Sequence, residues 1–216
     1  MPSLFFGGFM EEYKTIEFES SDCFVEKKSK FIGYVKPVKS SEEAVEFINE
    51  IKSKHWDATH NVYAYVLKDN NIQRYSDDGE PSGTAGVPVL DVMLKEGIVD
   101  ACVVATRYFG GTLLGAGGLV RAYSHTSKIA LEAGNIITMA KCSVLRITVP
   151  YNQYDRMNKL LTDFGANIIN TDFSDNVIIE FSVRQTKEDE IKALITDNTN
   201  GTIETEFIRN EFLKAS

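Results

Sequence analysis

With 216 residues, 43% hydrophobic and 25% charged, the chain is long and apolar enough to fold as one large domain or two small ones, which excludes wholesale disorder. The net charge of −8 divides into 14 basic and 19 acidic groups up to residue 140 and 9 and 12 beyond it, so neither part is a nucleic-acid module by overall charge. Apolar runs stop well short of the roughly 20 residues of a membrane span, and the three cysteines, Cys23, Cys102 and Cys142, are too far apart for a disulfide framework or a CxxC pair.

The first ten residues, MPSLFFGGFM, are apolar, lack a basic n-region and run into Glu11-Glu12. They read as a disordered leader, or as an upstream start with Met10 the true one, and not as a signal peptide. Strand-like alternation follows in Tyr13–Phe18 and in Phe24–Val38, where Pro37 marks a strand end. Ser40 with Glu43 forms a capping-box signature, and Ala44, Val45, Ile48 and Ile51 carry helical spacing to about Lys54. Val62–Leu67 alternates as a strand, Asp69-Asn70-Asn71 turns the chain, and Ile72–Tyr75 returns. The polar loop Ser76–Gly86 leads to a helix from Pro88, with Val89, Val92 and Met93 on its apolar face and Gly97 as its stop. Ile98–Thr106 is a continuous apolar run, expected to be a central strand covered on one face. A glycine loop and a helix to about Ala133 complete this part, with Gly134 as the stop.

From Ser143 the pattern is regular. Strand Val144–Val149, helix Asn152–Phe164 ending at Gly165, strand Ala166–Phe173, turn Ser174-Asp175-Asn176, strand Val177–Val183, helix Lys187–Ile195 and strand Thr202–Phe212 follow in turn. This βαββαβ order is the ferredoxin-like arrangement. The expected class is therefore α+β, with one domain over residues 11–140 and a second over 143–213.

The segment Ala105–Thr126 is the richest in chemistry. Gly110, Gly111, Gly115, Gly117 and Gly118 lie between a strand and an amphipathic helix, where glycine allows positive φ and close approach and a helix start favours an anion. Arg107 and Arg121 flank this loop and are candidates to hold a phosphate or carboxylate. The bland alternative is a tight corner with Leu113, Leu114 and Leu119 packed beneath. The loop matches neither GxxxxGK[ST] nor GxGxxG. Along the helix, Leu119, Tyr123, Ser127 and Ala130 form an inward stripe, and Arg121, His125, Lys128 and Glu132 an outward one.

Asp77, Asp78 and Glu80, followed by Ser82, Gly83 and Thr84, form a second candidate, as oxygen ligands or as a solvated loop. His55, Asp57 and His60 resemble a metal cluster in composition only. Trp56 reads equally as a packing anchor or a stacking platform. Lys27, Lys28 and Lys30 are the one dense basic cluster, a solvated edge first and a phosphate contact second.

KSKFIGYV (28–35), THNVYAYV (59–66), RYSDDGEPSGTAG (74–86) and VVATRYFGGTLLGAGGLVRAY (103–123) resemble the signature of the Impact family. With the added βαββαβ part, the chain resembles the family's two-domain bacterial members. The resemblance implies an N-terminal domain like the second domain of ribosomal protein S5 and the fourth domain of translocating elongation factors. It implies a C-terminal domain like the last domain of those factors. The S5-like fold also occurs in small-molecule kinases, whose loop motif is absent here, so fold alone does not choose a function. Eukaryotic members restrain a translation-control kinase by competing for its ribosome-associated activator, and do so with a separate interaction domain. The 216 residues contain no match to that domain, so the partnership is not carried over.

The expected function is a cytoplasmic, non-enzymatic regulator that binds RNA or a translation-associated assembly, with no cofactor and no metal. Its face would combine Arg74, Asp78, Glu80, Ser82, Gly83, Thr84, Arg107, Tyr108, the five loop glycines, Arg121, Tyr123 and His125, with Tyr108 or Tyr123 stacking on a base. The alternatives are an enzyme or sensor that binds a small phosphorylated or carboxylated ligand on Gly110–Gly118, with Asp78 or Glu80 as base, and a protein-interaction module.

Overall fold

The computed structural model describes residues 11–215, and the expectations for the first ten residues lie outside them. Two compact units divide the chain between Thr138 and Met139, with Glu11 and Glu12 grouped with the second.

The chain opens with β1 (Glu12–Ile16), which enters the first unit at Tyr13, and that unit continues with β2 (Ser20–Glu26), β3 (Ser29–Pro37), α1 (Ser41–Lys54), β4 (His60–Leu67), β5 (Ile72–Ser76), α2 (Gly86–Glu96), β6 (Ala101–Tyr108) and α3 (Ala116–Ala133). Its sheet is antiparallel in the order β2-β3-β6-β4-β5. Strand periodicity of two sends Val103, Ala105 and Phe31 to one face, under Val89 and Met93 of α2 and Leu119 and Tyr123 of α3. Cys102, Val104, Tyr34 and Tyr65 face the other way, under Phe47, Ile48 and Ile51 of α1. Helices thus cover both faces, where the sequence led us to expect one. This double cover is why β6 is buried from Ala101 through Arg107 and shows no alternation.

The stretch Phe24–Val38 is a hairpin and not one strand. Lys27 and Lys28 take φ of 45° and 66° at its tip, the positive-φ pair that a two-residue primed turn requires. Lysines at a position that usually holds Asn-Gly hide the turn from a sequence reading. At the start of α1, Ser40 Oγ accepts from the Glu43 N–H at 3.2 Å and Glu43 accepts from the Lys39 N–H at 2.7 Å. Gly97 ends α2 in the left-handed conformation, φ 71°. Gly134 ends α3 for another reason. Its φ is −80°, and an added Cβ would come within 2.5 Å of Ile16 Cγ2.

The second unit begins inside β7 (Ile136–Val149) and continues with α4 (Tyr151–Phe164), β8 (Asn167–Phe173), β9 (Val177–Arg184), α5 (Glu188–Thr199) and β10 (Thr205–Lys214). β8, β9 and β7 are successive antiparallel neighbours, and β10 pairs antiparallel with β7. Because the same β7 residues pair with both, β9 and β10 lie on opposite edges of it. Leu145, Ile147, Ile179 and Phe181 pack under Met157 and Leu161 of α4 and Ile191 and Ile195 of α5. Arg146, Glu180 and Arg209 form an ion-paired group on the strands, at 3.6 Å and 3.0 Å. The class is α+β with two sheets. No helix among the described residues is long and apolar enough to cross a membrane.

Candidate functional site

Antiparallel register lines up Phe31, Arg107 and His60 across β3, β6 and β4. Arg107 is 4% exposed. Its Nη1 donates to Glu80 Oε1 at 2.6 Å, and Tyr123 Oη donates to the same oxygen at 2.8 Å. Nη2 reaches Ser29 Oγ at 3.4 Å, and the guanidinium lies 5.4 Å from the ring centres of Phe31 and Phe109. His60 Nε2 stands 3.8 Å from Glu80. Burial, and then the Glu80 charge, push the Tyr123 phenol well above its ordinary range, so it stays a donor.

This arrangement corrects two expectations. Arg107 is neutralised inside the unit by Glu80 and does not grip an anion beside Arg121. Tyr123 is fully buried and has no ring face on which a base can stack. Glu80 is likewise engaged by two donors and only 8% exposed, a poor position for a general base.

The other carboxylates of the loop diverge. Asp77 accepts from the N–H groups of Gly83, Ala85 and Gly86 at 2.9, 3.1 and 2.8 Å, closing the loop onto α2. Asp78 accepts from the Asn61 N–H at 2.6 Å and pairs with Lys52 at 2.7 Å. Among the described residues no three His, Cys, Asp or Glu side chains are grouped to hold a metal ion. Ser82 and Gly83 are exposed, while Thr84 is buried and donates to the Pro81 carbonyl at 2.6 Å. Arg74 is exposed on β5 and donates to the Gln73 carbonyl at 2.8 Å.

The glycine loop packs on the basic hairpin. An added Cβ on Gly110 would fall 2.0 Å from the Lys28 carbonyl, so only glycine lets the two backbones approach. The Gly110 N–H donates to Ser29 Oγ at 3.2 Å. Gly111 and Gly115 have φ of 81° and 73°, and Gly117 and Gly118 open α3. Leu114 packs against the core, but Leu113 is 83% exposed and not beneath the loop. On α3, Leu119, Tyr123, Ser127 and Ala130 are buried and Arg121, His125, Lys128 and Glu132 exposed, as the spacing requires.

Lys27, Arg121 and His125 therefore meet, with Phe24, Leu114 and the carboxylate-bearing Glu26, around an open cavity of about 270 Å³. The His125 and Phe24 rings meet edge to face at 4.6 Å. Lys27, Lys28, Lys30 and Arg121 are exposed, and none pairs with a carboxylate among the described residues.

Lys30 stands opposite Tyr108 in register. Tyr108 Oη donates to Asp57 at 3.0 Å, so it accepts from His55 Nδ1 at 2.9 Å, and His55 Nε2 accepts from Tyr34 Oη at 2.6 Å. Burial, and then Lys54, hold the His55 imidazole below its ordinary pKa. Close by in sequence, Trp56 and Phe109 are 84% and 46% exposed. Composition singled out His55 and Asp57 only as possible ligands. Their partners Tyr34 and Tyr108 come from β3 and β6, and no local pattern announces them.

Residues 27–131 match the family model described as the Impact N-terminal domain, and residues 147–202 match a domain of unknown function, DUF1949. IMPACT family member YvyE of Bacillus subtilis (strain 168) is 37% identical over 193 residues, 89% of each chain. IMPACT family member YigZ of Escherichia coli (strain K12) is 33% identical, covering 82% of this chain and 89% of its own. A solved crystal structure described as that of a hypothetical protein matches with a TM-score of 0.59 and 30% identity over 94% of this chain and all of that one. A Dictyostelium discoideum IMPACT homolog shares 38% identity over 55% of this chain but only 35% of its own length. With two such relatives aligned across most of both chains, this chain belongs to the IMPACT family.

Proposed function

We propose that the chain is a cytoplasmic, non-enzymatic regulator that binds single-stranded RNA in a translation-associated assembly, on the end of the first unit's sheet. One observation carries this reading. Four exposed cations without carboxylate partners among the described residues, Lys27, Lys28, Lys30 and Arg121, ring the glycine loop in a chain of net charge −8. A local basic patch held against an acidic background is the footprint of a polyanion. Arg121 and Lys27 would take phosphates on the α3 side, and Lys30 would do so beside Tyr108. Phe109 and Trp56 supply the stacking faces that Tyr123 cannot.

The domain limits belong to the same proposal: 11–140 as an S5-domain-2-like unit and 143–213 as a ferredoxin-like unit. Strand order β8-β9-β7-β10 with α4 and α5 on one face supports the second assignment. The first assignment rests on the family resemblance of residues 27–131.

The test is co-sedimentation with ribosomes and with free RNA at low and moderate salt, beside a Lys27→Gln, Arg121→Gln double variant. Salt-sensitive binding lost in the variant is expected. No binding at low salt overturns the reading and favours a small anionic ligand in the cavity beside Phe24, while equal binding by the variant overturns the placement of RNA on this face.

A further inference from the structure

The cavity beside Phe24 holds one group that a phosphate-binding face does not need. Glu26 lines it together with Lys27, Arg121 and His125. The Glu26 side chain is exposed and makes no hydrogen bond or ion pair with a described residue, although two cations share its cavity. A carboxylate there repels phosphate, so a cavity that gripped only the RNA backbone would bind better without it. What an ionised carboxylate does attract is a ligand edge that donates hydrogen bonds.

The rest of the cavity suits a flat ring. Phe24, Leu114 and Ala122 supply its apolar wall, and the His125 ring meets Phe24 edge to face at 4.6 Å. Phe24 is backed by the buried Phe31, their ring centres 5.2 Å apart and their planes 10° from parallel. A Cβ on Gly118 would stand 2.9 Å from Leu114 Cβ, so glycine there lets Leu114 close against the start of α3. Arg121 Nη1 lies 3.8 Å from where a Cβ on Gly117 would stand, which turns the guanidinium back toward the glycine loop. The volume of about 270 Å³ equals about nine waters, below the roughly 300 Å³ at which drug-sized sites begin. That is room for one base.

We propose that this cavity takes a single unstacked guanine of the bound RNA strand and that Glu26 reads its edge. This placement rests on RNA binding through the same face. A carboxylate offers acceptors side by side, and guanine alone among the RNA bases has neighbouring donors, N1–H and the 2-amino group, on its Watson–Crick edge. Adenine and cytosine set a ring-nitrogen acceptor beside their amino group, and uracil flanks its N–H with carbonyls, so each turns an acceptor toward the carboxylate. Phe24 and His125 pack against the ring, while Lys27 and Arg121 hold the neighbouring phosphates.

The experiment is fluorescence anisotropy of the full chain with short labelled RNA strands of equal length at constant salt. The strands are all uridine, or uridine with one central base replaced by guanosine, adenosine, cytidine or inosine. Guanosine should raise affinity about tenfold over the other natural bases. Inosine, which lacks the 2-amino group, should lose most of that gain. In Glu26→Gln the affinity ratio of the guanosine strand to the all-uridine strand should fall to about one, and an undisturbed amide spectrum verifies that the variant folds. Equal affinity for every strand, a guanosine preference that survives in Glu26→Gln, or inosine binding as well as guanosine would each overturn the proposal and leave RNA binding in place. Binding of no strand at all would overturn RNA binding and the guanine site together.

Discussion

Glu80 is the residue on which the interior of the site turns. It neutralises Arg107 and accepts from Tyr123 where almost no water reaches, with side-chain exposures of 4% and 5% in the ion pair. Removing one partner of such a pair strands the other charge, so Glu80→Ala should cost about 3–5 kcal/mol, read as a lower denaturant midpoint. A loss below about 1 kcal/mol would mean that Arg107 finds water instead. His55 makes a prediction in pH. Its folded pKa lies below its unfolded value of about 6.5. The stability it contributes is therefore complete above about pH 6.5 and is lost as pH falls through the folded value. Urea midpoints at pH 7 and pH 5 should fall less in His55→Gln than in the parent chain. Titration of the His55 ring above that of a free histidine would contradict this reading. Gly110→Ala drives a methyl into the Lys28 carbonyl and should destabilise by about 1–3 kcal/mol.

Elements differ in how openly the sequence announces them. α1, α2 and α4 carry their own punctuation: Ser40 with Glu43, then Gly97 and Gly165 with φ of 71° and 86°. Each boundary depends on chemistry a few residues wide, and each was legible. The hairpin at Lys27-Lys28 was not, because its positive φ values fall on lysines that carry no turn signature. β6 announced its burial but not its second cover, because α1 packs onto it from more than fifty residues away. The α3 stripe told correctly that Arg121 and His125 face outward. Nothing in the sequence told that Arg107 turns inward, since its partner Glu80 lies 27 residues upstream in a loop that reads as solvated. Pairings across the sheet are long-range facts, and periodicity reports only which side of its own strand a residue takes.

At the scale of the molecule, charge and shape separate two kinds of surface. Arg146, Glu180 and Arg209 in the second unit are largely paired among themselves and with Glu206 and Glu211, which leaves little field for a polyanion. The end of the first unit's sheet presents cations without carboxylate partners among the described residues around a glycine loop, with exposed aromatic rings on neighbouring residues. Each phosphate contact releases counterions, so binding through this face must weaken with salt in proportion to the cations engaged. The most direct measurement is the affinity of the full chain for a short single-stranded RNA as a function of salt, beside the Lys27→Gln, Arg121→Gln variant. Four contacts give a slope of log affinity against log salt of about −3, and the variant should shallow it by about 1.4. An identical slope in the variant, or no RNA binding at low salt, would contradict the account.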